Sequence, residues 1–459
     1  MDIQYGADQN RIRFFLQIRQ SYIHIMIKAL MTIIMGVMVS FYFFPIEFTF
    51  LPGINTKMAM AGFGLIVLAL QLARQRKPYI DGNIFKFSLI AIIVSFIGLI
   101  ATTFNETSDY TYATYIVSMW VWLSGAYVIV TCIKALHGCI SVELVCNYLI
   151  AVCTAQCIFA LMIDTMPAFK GFVDTYVSGF GFVDTSKISQ GKRMYGIGAG
   201  LDVAGLRFSG VLCSIAYITH RIANTTRKGL IGIYLICFFV ISLIGNMIAR
   251  TTTVGVGLAL AYWIYTLFAP GEKRGKKVLW LWLIGTTIAA LLLIISLYNT
   301  HQVFKANTRF AFEGFFSLAE TGKWNVHSNN ILKSMYVFPD NLKTWLIGDG
   351  YIENPIDTDP YYTGEVIRGY YMGTDVGYLR FIFYFGIFGL LAFIAFFIAI
   401  TKNCIMKFPA QSILFILFLI VNMVGWFKVS TDIFLTFAPF LLISKEENEE
   451  YDLQHQKID

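Results

Sequence analysis

Three arginines stand where a guanidinium near lipid could do chemistry. Arg207 lies in LRFSGVL, about one turn inside an apolar run. Arg250 lies in the tight turn GNMIARTTTVG between two such runs. Arg380 lies in GTDVGYLRF, about one turn inside another. An arginine below the membrane interface is costly unless it has a partner or reaches water. Its planar fork matches phosphate oxygens, so three at one depth on different helices could hold a lipid-linked diphosphate. Snorkelling to headgroups or pairing with loop carboxylates is the competing use. Asp375 opens the run that carries Arg380. There it either caps the free amides of Gly377 and Tyr378 or acts as a base or hydroxyl orienter, because a carboxylate beside lipid can have a raised pKa. His327, in VHSNN, is the second candidate for proton transfer.

The elements that must position these groups follow from composition. The 459 residues are 57% hydrophobic and 14% charged, with a mean hydropathy of +0.65. A soluble domain is about 25% charged, so a large soluble enzyme is excluded. Apolar runs of membrane-helix length recur at 23–44, 59–72, 85–104, 112–133, 141–163 and 204–222. They continue at 229–247, 251–268, 278–298, 376–400, 410–427 and 433–444. The expected fold is an all-α polytopic membrane protein of about twelve spans, since lipid cannot satisfy a bare backbone. The second and last runs are short enough to be re-entrant or broken. Polar residues up to Gln20 precede a full-length first run, which fits a retained anchor rather than a cleaved signal.

Basic residues set the expected orientation. With the N-terminus in the cytoplasm, the inner segments carry most of the 35 lysines and arginines, among them Arg74, Arg76, Lys77, Lys86, Arg221, Arg227 and Lys228. The short outer loops carry Lys57, Arg250 and Lys428. Both termini are then cytoplasmic, with the acidic KEENEEYD tail inside. The net charge of +7 is mainly topological, and no nucleic-acid partner is implied. The eight cysteines fall in helices or inner loops, so no disulfide framework supports the outer loops. Cys153 and Cys157 share a helix face as small packing residues. No HExxH, Walker A or zinc spacing appears, and no metal or other cofactor is expected.

The spans divide the chain into membrane helices 1–5 (1–163), a first large outer loop (164–203), helices 6–9 (204–298), a second large outer loop (299–375), and helices 10–12 with the tail (376–459). Loops this long are functional or disordered. The second holds Trp324, Tyr336, Trp345, Tyr351, Tyr361, Tyr362, Tyr370 and Tyr371, too aromatic for a tether. Its start, RFAFEGFFSLAE, suits the interface with phenylalanines facing lipid. Asp340 followed by NLKTWLI and Gly348 reads as a short capped helix. Aromatic faces interleaved with Asp, Asn and Arg suit polyhydroxylated ligands; an interfacial aromatic belt is the alternative. Arg193, Arg309, Tyr370, Tyr371 and Tyr378 are further candidates for such contacts. Asp357-Thr358-Asp359 spells a DxD, but before Pro360 it reads as an acidic turn.

The segment LIGDGYIENP…YYMGTDVGYLRFIFYFGIFGLLAFI, from Leu346, resembles the signature region of the O-antigen polymerases, the Wzy family. There a long periplasmic loop ends in a GDG-like turn, and a TDxGYLR-like opening precedes a GIxGLL helix. The helix start in LRFSGVL, the R-T-T turn at Arg250 and the two long outer loops are also similar. The motif likeness covers about a tenth of the chain. One feature departs: some members carry an arginine followed by a glycine ten residues on, whereas Arg193 has Ala204 eleven positions later and then Gly205. The resemblance implies a multi-pass protein of the bacterial inner membrane, acting in lipopolysaccharide synthesis. It would polymerise undecaprenyl-diphosphate-linked oligosaccharide repeats on the periplasmic face, with inversion at the anomeric carbon and a chain-length regulator as protein partner. Arg207, Arg250 and Arg380 would then hold the diphosphate, and Asp375 or His327 would serve the acceptor hydroxyl.

Two other readings stay open. An O-antigen ligase would use the same donor but pass the glycan to lipid A–core, and the loop histidine His327 suits it. A lipid-linked oligosaccharide flippase would need repeat symmetry and ionisable groups near the midplane, which the sequence does not display. The orientation is checked by alkaline phosphatase fusions: activity is expected for a fusion after residue 355 and none for one at the C-terminus, and the reverse pattern would invert the topology.

Overall fold

The computed structural model describes residues 2–74, 79–178, 193–223, 225–269, 273–355, 362 and 370–456. Arg76, Lys77, the Asp357-Thr358-Asp359 turn and Tyr361 lie outside them. Among the described residues the chain is helical throughout, with strand-like pairing confined to isolated bridges such as Glu353 with Tyr370. Nine helices among the described residues are long and apolar enough to cross a membrane: Ile23–Phe43, Thr56–Ala73, Asn83–Phe104, Tyr115–His137, Val142–Thr165, Leu201–Ile222, Thr226–Ile248, Gly275–Thr300 and Gly377–Lys407. The shortest has 18 residues, about 27 Å of helix and close to the thickness of a bilayer core. This is a polytopic membrane protein.

Three of the expected spans are shorter than a full crossing. Thr252–Phe268 and Pro409–Gly425 fall below that length. The last apolar run is broken outright: its helix is Phe434–Leu441, eight residues with Pro439 inside, and every one of them is buried. Irregular backbone at membrane depth is tolerated where protein encloses it. Here other helices take up the free groups. Tyr42 donates to the Leu435 carbonyl (2.7 Å), Lys407 donates to that of Leu441 (3.0 Å), and Asn422 accepts from the Ile433 amide (3.0 Å).

Leu201–Ile222 is the central helix, 83% buried, whereas Gly275–Thr300 is 11% buried and lies at the periphery. It packs against Thr252–Phe268, Ile231–Ile248, Val142–Thr165 and Ser412–Gly425. Its closest approach is at Gly205, where a Cβ would lie 1.9 Å from the Thr251 hydroxyl. Gly377–Lys407 packs along Asn83–Phe104, and Thr56–Ala73 along Tyr115–His137.

The two long connections contain short helices. The first carries Pro167–Tyr176. The second carries Gln302–Ala311, Glu313–Thr321, His327–Ser334 and Leu342–Leu346. The cap of the last is Asn341, which accepts from the Thr344 amide at 2.9 Å, so the acidic residue before it is not the capping group. In the segment expected to face lipid, Phe315 is 62% exposed. Phe316 instead stacks on Tyr298, and Phe310 packs beneath arginines.

The Gly377–Lys407 helix is broken at Phe385–Gly386, where Gly386 has φ +69°. The freed carbonyls of Phe383 and Tyr384 accept the amides of Asp349 (2.5 Å) and Gly350 (3.0 Å). The Gly348-Asp349-Gly350 turn fits because both glycines have positive φ, and a Cβ on Gly386 would lie 2.2 Å from the Leu346 carbonyl oxygen. Gly386→Val is expected to cost about 1–3 kcal/mol for the backbone conformation and about 1–3 kcal/mol more for overpacking. The loss would be read as a lowered unfolding temperature in detergent. Gly285→Ala, with open space around it, should leave that temperature unlowered.

Candidate functional site

Charged residues from five elements meet at one end of the helix assembly. The start of Leu201–Ile222 brings Asp202, and the turn before Thr252–Phe268 brings Arg250. The start of Gly377–Lys407 brings Asp375 and Arg380. The connection after Ser412–Gly425 brings Lys428 and Asp432, and the start of Thr56–Ala73 brings Lys57.

Arg380 is 6% exposed and fully engaged. It donates from Nε (3.3 Å) and Nη2 (2.8 Å) to the Ile352 carbonyl, pairs with Glu353, and lies 3.8 Å from Asp375 Oδ1. Its guanidinium sits 4.6 Å from the Tyr370 ring centre. Asp375 does not cap the helix, as one sequence reading had it. Val376 holds the cap position without a side-chain bond, and the Tyr378 amide donates to the Trp426 carbonyl. Freed from capping, Asp375 faces charge. Burial pushes its carboxyl up to about 7, and Asp202 and Glu353 add to that rise, against Arg380 and Lys428.

Arg250 forms the second lobe. It pairs with Glu313 (2.8 Å), donates to the Phe310 carbonyl (3.1 Å) and to the Ser328 hydroxyl (2.9 Å), and stacks 4.1 Å from the Phe310 ring. Arg193 approaches the same ring at 5.6 Å. Burial lowers the Arg250 pKa, Glu313 opposes the fall and Arg193 adds to it. His327 is exposed and opens its short helix next to Ser328; its amide donates to Glu313 at 3.3 Å. It therefore belongs to the Arg250 lobe.

Arg207 lies deeper, five residues along the helix from Asp202, roughly 7.5 Å. It is 5% exposed, donates to the Phe43 carbonyl and faces the Phe44 ring at 5.6 Å. Its Nε is buried with no hydrogen-bond partner among the described residues. Lys57 sits over the Trp122 ring (4.3 Å) and donates to Ser118 (3.2 Å). Burial raises the pKa of nearby Asp432, opposed by the Phe434 amide, Lys57 and Arg207.

The structure thus brings Arg250, Asp375 and Tyr370 around one acid that sequence reasoning passed over, with Arg380 beside Asp375 and with Arg193 and His327 in the Arg250 lobe. Asp202 pairs with Lys428 (3.2 Å) and accepts from Thr251, and its charge acts on Asp375, Tyr370 and Arg250. In sequence it looks like a first-turn carboxylate favoured by the helix dipole. The visible signal was acids and lysines at the ends of apolar runs: Lys57, Lys428 and Asp432 as well as Asp202. Three other candidates do not join. Arg309 pairs with Glu320 (2.7 Å) and Tyr298 (3.3 Å) on an exposed surface. Tyr371 donates to Asp349 (3.2 Å), and Tyr378 donates to the Met423 carbonyl (2.8 Å). Both tyrosines hold the scaffold.

Six cations (Lys57, Arg193, Arg207, Arg250, Arg380, Lys428) face five acids (Asp202, Glu313, Glu353, Asp375, Asp432), two of them with raised pKa. Such a balance suits an anion and places a proton-accepting carboxylate beside it. Among the described residues no group of acids, histidines and cysteines has the clustering of a metal site. Labelling of Asp375 by dicyclohexylcarbodiimide, which needs the protonated acid, should fall to half near pH 7, against about 3.9 for an ordinary aspartate. Peptide mass spectrometry would locate the label, and Asp202→Asn should lower that midpoint. No family model, curated protein or solved structure matches the chain.

Proposed function

We propose that this protein polymerises undecaprenyl-diphosphate-linked oligosaccharide repeats, as an O-antigen-type polysaccharide polymerase of the bacterial inner membrane. The charged end of the helix assembly would be periplasmic and both termini cytoplasmic. The observation that carries the reading is a carboxyl pushed up to about 7 at Asp375, beside Arg380 and under the charge of Asp202, which also acts on Arg250, whose Phe310 partner Arg193 shares.

The reaction asks for two things that these residues can supply. The acceptor sugar hydroxyl attacks the donor's anomeric carbon and loses its proton to the Asp375 carboxylate. The anomeric C–O bond to the diphosphate breaks, and its electron pair leaves with undecaprenyl diphosphate. Charge grows on the leaving oxygens, and preorganised guanidinium groups in a partly dry site stabilise it strongly. Arg250 and Arg380 would exchange their pairs with Glu313 and Glu353 for phosphate oxygens. Arg207, with an unpartnered buried Nε, completes the positive field from beneath. A base with a pKa near 7 suits proton removal at neutral pH. Tyr370 and the loop aromatics would contact sugar rings, and a chain-length regulator would act as a partner.

The ligase reading has one observation of its own, the position of His327 beside Ser328 on Arg250. Loss of a polymerase leaves core bearing a single repeat, whereas loss of a ligase leaves bare core. Purified protein in proteoliposomes with lipid-linked repeats should build a ladder of chain lengths. Its rate should rise with pH through about 7, and Asp375→Asn should remove that rise. Arg250→Ala should abolish elongation at unchanged protein level; a normal ladder would remove Arg250 from the site. Lipid translocation without elongation by the native protein would overturn the reading.

A further inference from the structure

A cavity of about 740 Å³ opens between the C-terminal ends of Val142–Thr165, Thr226–Ile248 and Gly275–Thr300, closed at its rim by Gln302–Ala311. Its walls are apolar, from Phe239 to Met247 on one helix and from Ala290 to Leu297 on another. Eight residues of helix make the groove about 12 Å deep. Leu293 (60%) and Ile158 (47%) are exposed, so it opens sideways toward lipid. Polar groups are confined to the rim, where Asn307 donates to Asp164 at 2.9 Å and holds the short helix across the opening.

We propose that this groove holds the hydrocarbon tail of a polyprenyl diphosphate whose head lies against Arg193 and Arg250. The inference rests on the reading of the charged end as a diphosphate site. Continuity carries it. Met194, Met247 and Asn307 line the groove, and each lies within three residues of Arg193, Arg250 or Phe310, the ring that both arginines lie over. The apolar volume therefore begins where the cationic lobe ends. It lies within the roughly 300–1,000 Å³ of small-molecule sites, and burying a tail there removes apolar surface from competing environments without charge cost. The two halves match an amphiphile with a compact anionic head and an extended apolar chain. They also explain why Gln302–Ala311 is pinned to Val142–Thr165: it walls the tail and delivers Phe310 to the arginines.

The test uses the full-length protein in phosphatidylcholine nanodiscs and a diazirine-bearing polyprenyl diphosphate, with labelled peptides mapped by mass spectrometry. Label is expected on the groove walls, displaced by undecaprenyl diphosphate but not by phosphatidylglycerol or geranyl diphosphate. Leu293→Trp, at an exposed lining position, should cut groove labelling by about tenfold, the scale of losing ~1.4 kcal/mol. Leu292→Trp, exposed outside the groove, should leave it unchanged. Equal displacement by phosphatidylglycerol would make this an ordinary membrane-lipid site and overturn the inference. Label that depends on Arg250 but maps elsewhere would overturn the groove while keeping the diphosphate reading. Absence of any saturable, Arg250-dependent label would overturn both.

Discussion

The pairing of the Gly348-Asp349-Gly350 turn with the break in the Gly377–Lys407 helix is the contact on which the charged end depends. Breaking a helix in a low-dielectric interior frees carbonyls that must find donors. Those of Phe383 and Tyr384 find the amides of Asp349 and Gly350. The Asp349 carboxylate then organises its own neighbourhood, accepting from Lys343, Thr344 and Tyr371. A third chain segment closes the joint: Asn105 donates to the Gly348 carbonyl, Thr107 to that of Gly350, and Asp109 accepts from Ile352. Ile352 in turn offers its carbonyl to Arg380. A loop far from Arg380 in sequence is thereby hydrogen-bonded into the helix that carries it.

That joint governs the electrostatics as much as the geometry. A buried guanidinium with one partner removed leaves an uncompensated charge at a cost of several kcal/mol. Arg380 avoids it by using the Ile352 carbonyl and the Glu353 carboxylate of that segment together with Asp375 from the start of its own helix. Arg250 uses a parallel arrangement with Glu313, Phe310 and Ser328. Each arginine is held by acids at its rim, so an incoming anion can replace a carboxylate without leaving the cation bare. Asp202 and Asp375 lie under the same field, and their mutual repulsion helps keep one carboxyl protonated near neutrality.

The opposite end is built for rigidity. Lys407 pairs with Asp81 (3.3 Å), which also accepts from Asn403, tying Gly377–Lys407 to the start of Asn83–Phe104. Glu143 pairs with Arg227 (2.6 Å), and Glu447 of the tail pairs with Lys134 and accepts from the Ser444 amide (3.0 Å). The acidic tail is a docked helix, Lys445–Gln456, whose Asn448 accepts from the Val142 amide at 3.0 Å.

Helices were legible in the sequence because lipid permits few alternatives: a long apolar run without breakers must satisfy its own backbone. Arg207, Arg250, Arg380 and Asp375 were legible too, because charge beside such runs is expensive and so is conspicuous. The broken last run was visible as shortness, but its burial was not, since enclosure by Tyr42, Asn422 and Lys407 depends on helices far away in sequence. Asp202 was hidden for the same reason, as was the separation of Tyr370 from Tyr371 and Tyr378. Sequence alone determined that the chain is built on long apolar helices and which charges beside them needed partners. Only the tertiary structure decided who those partners are, because Coulomb and hydrogen-bond energies depend on distances between segments that chain order does not specify.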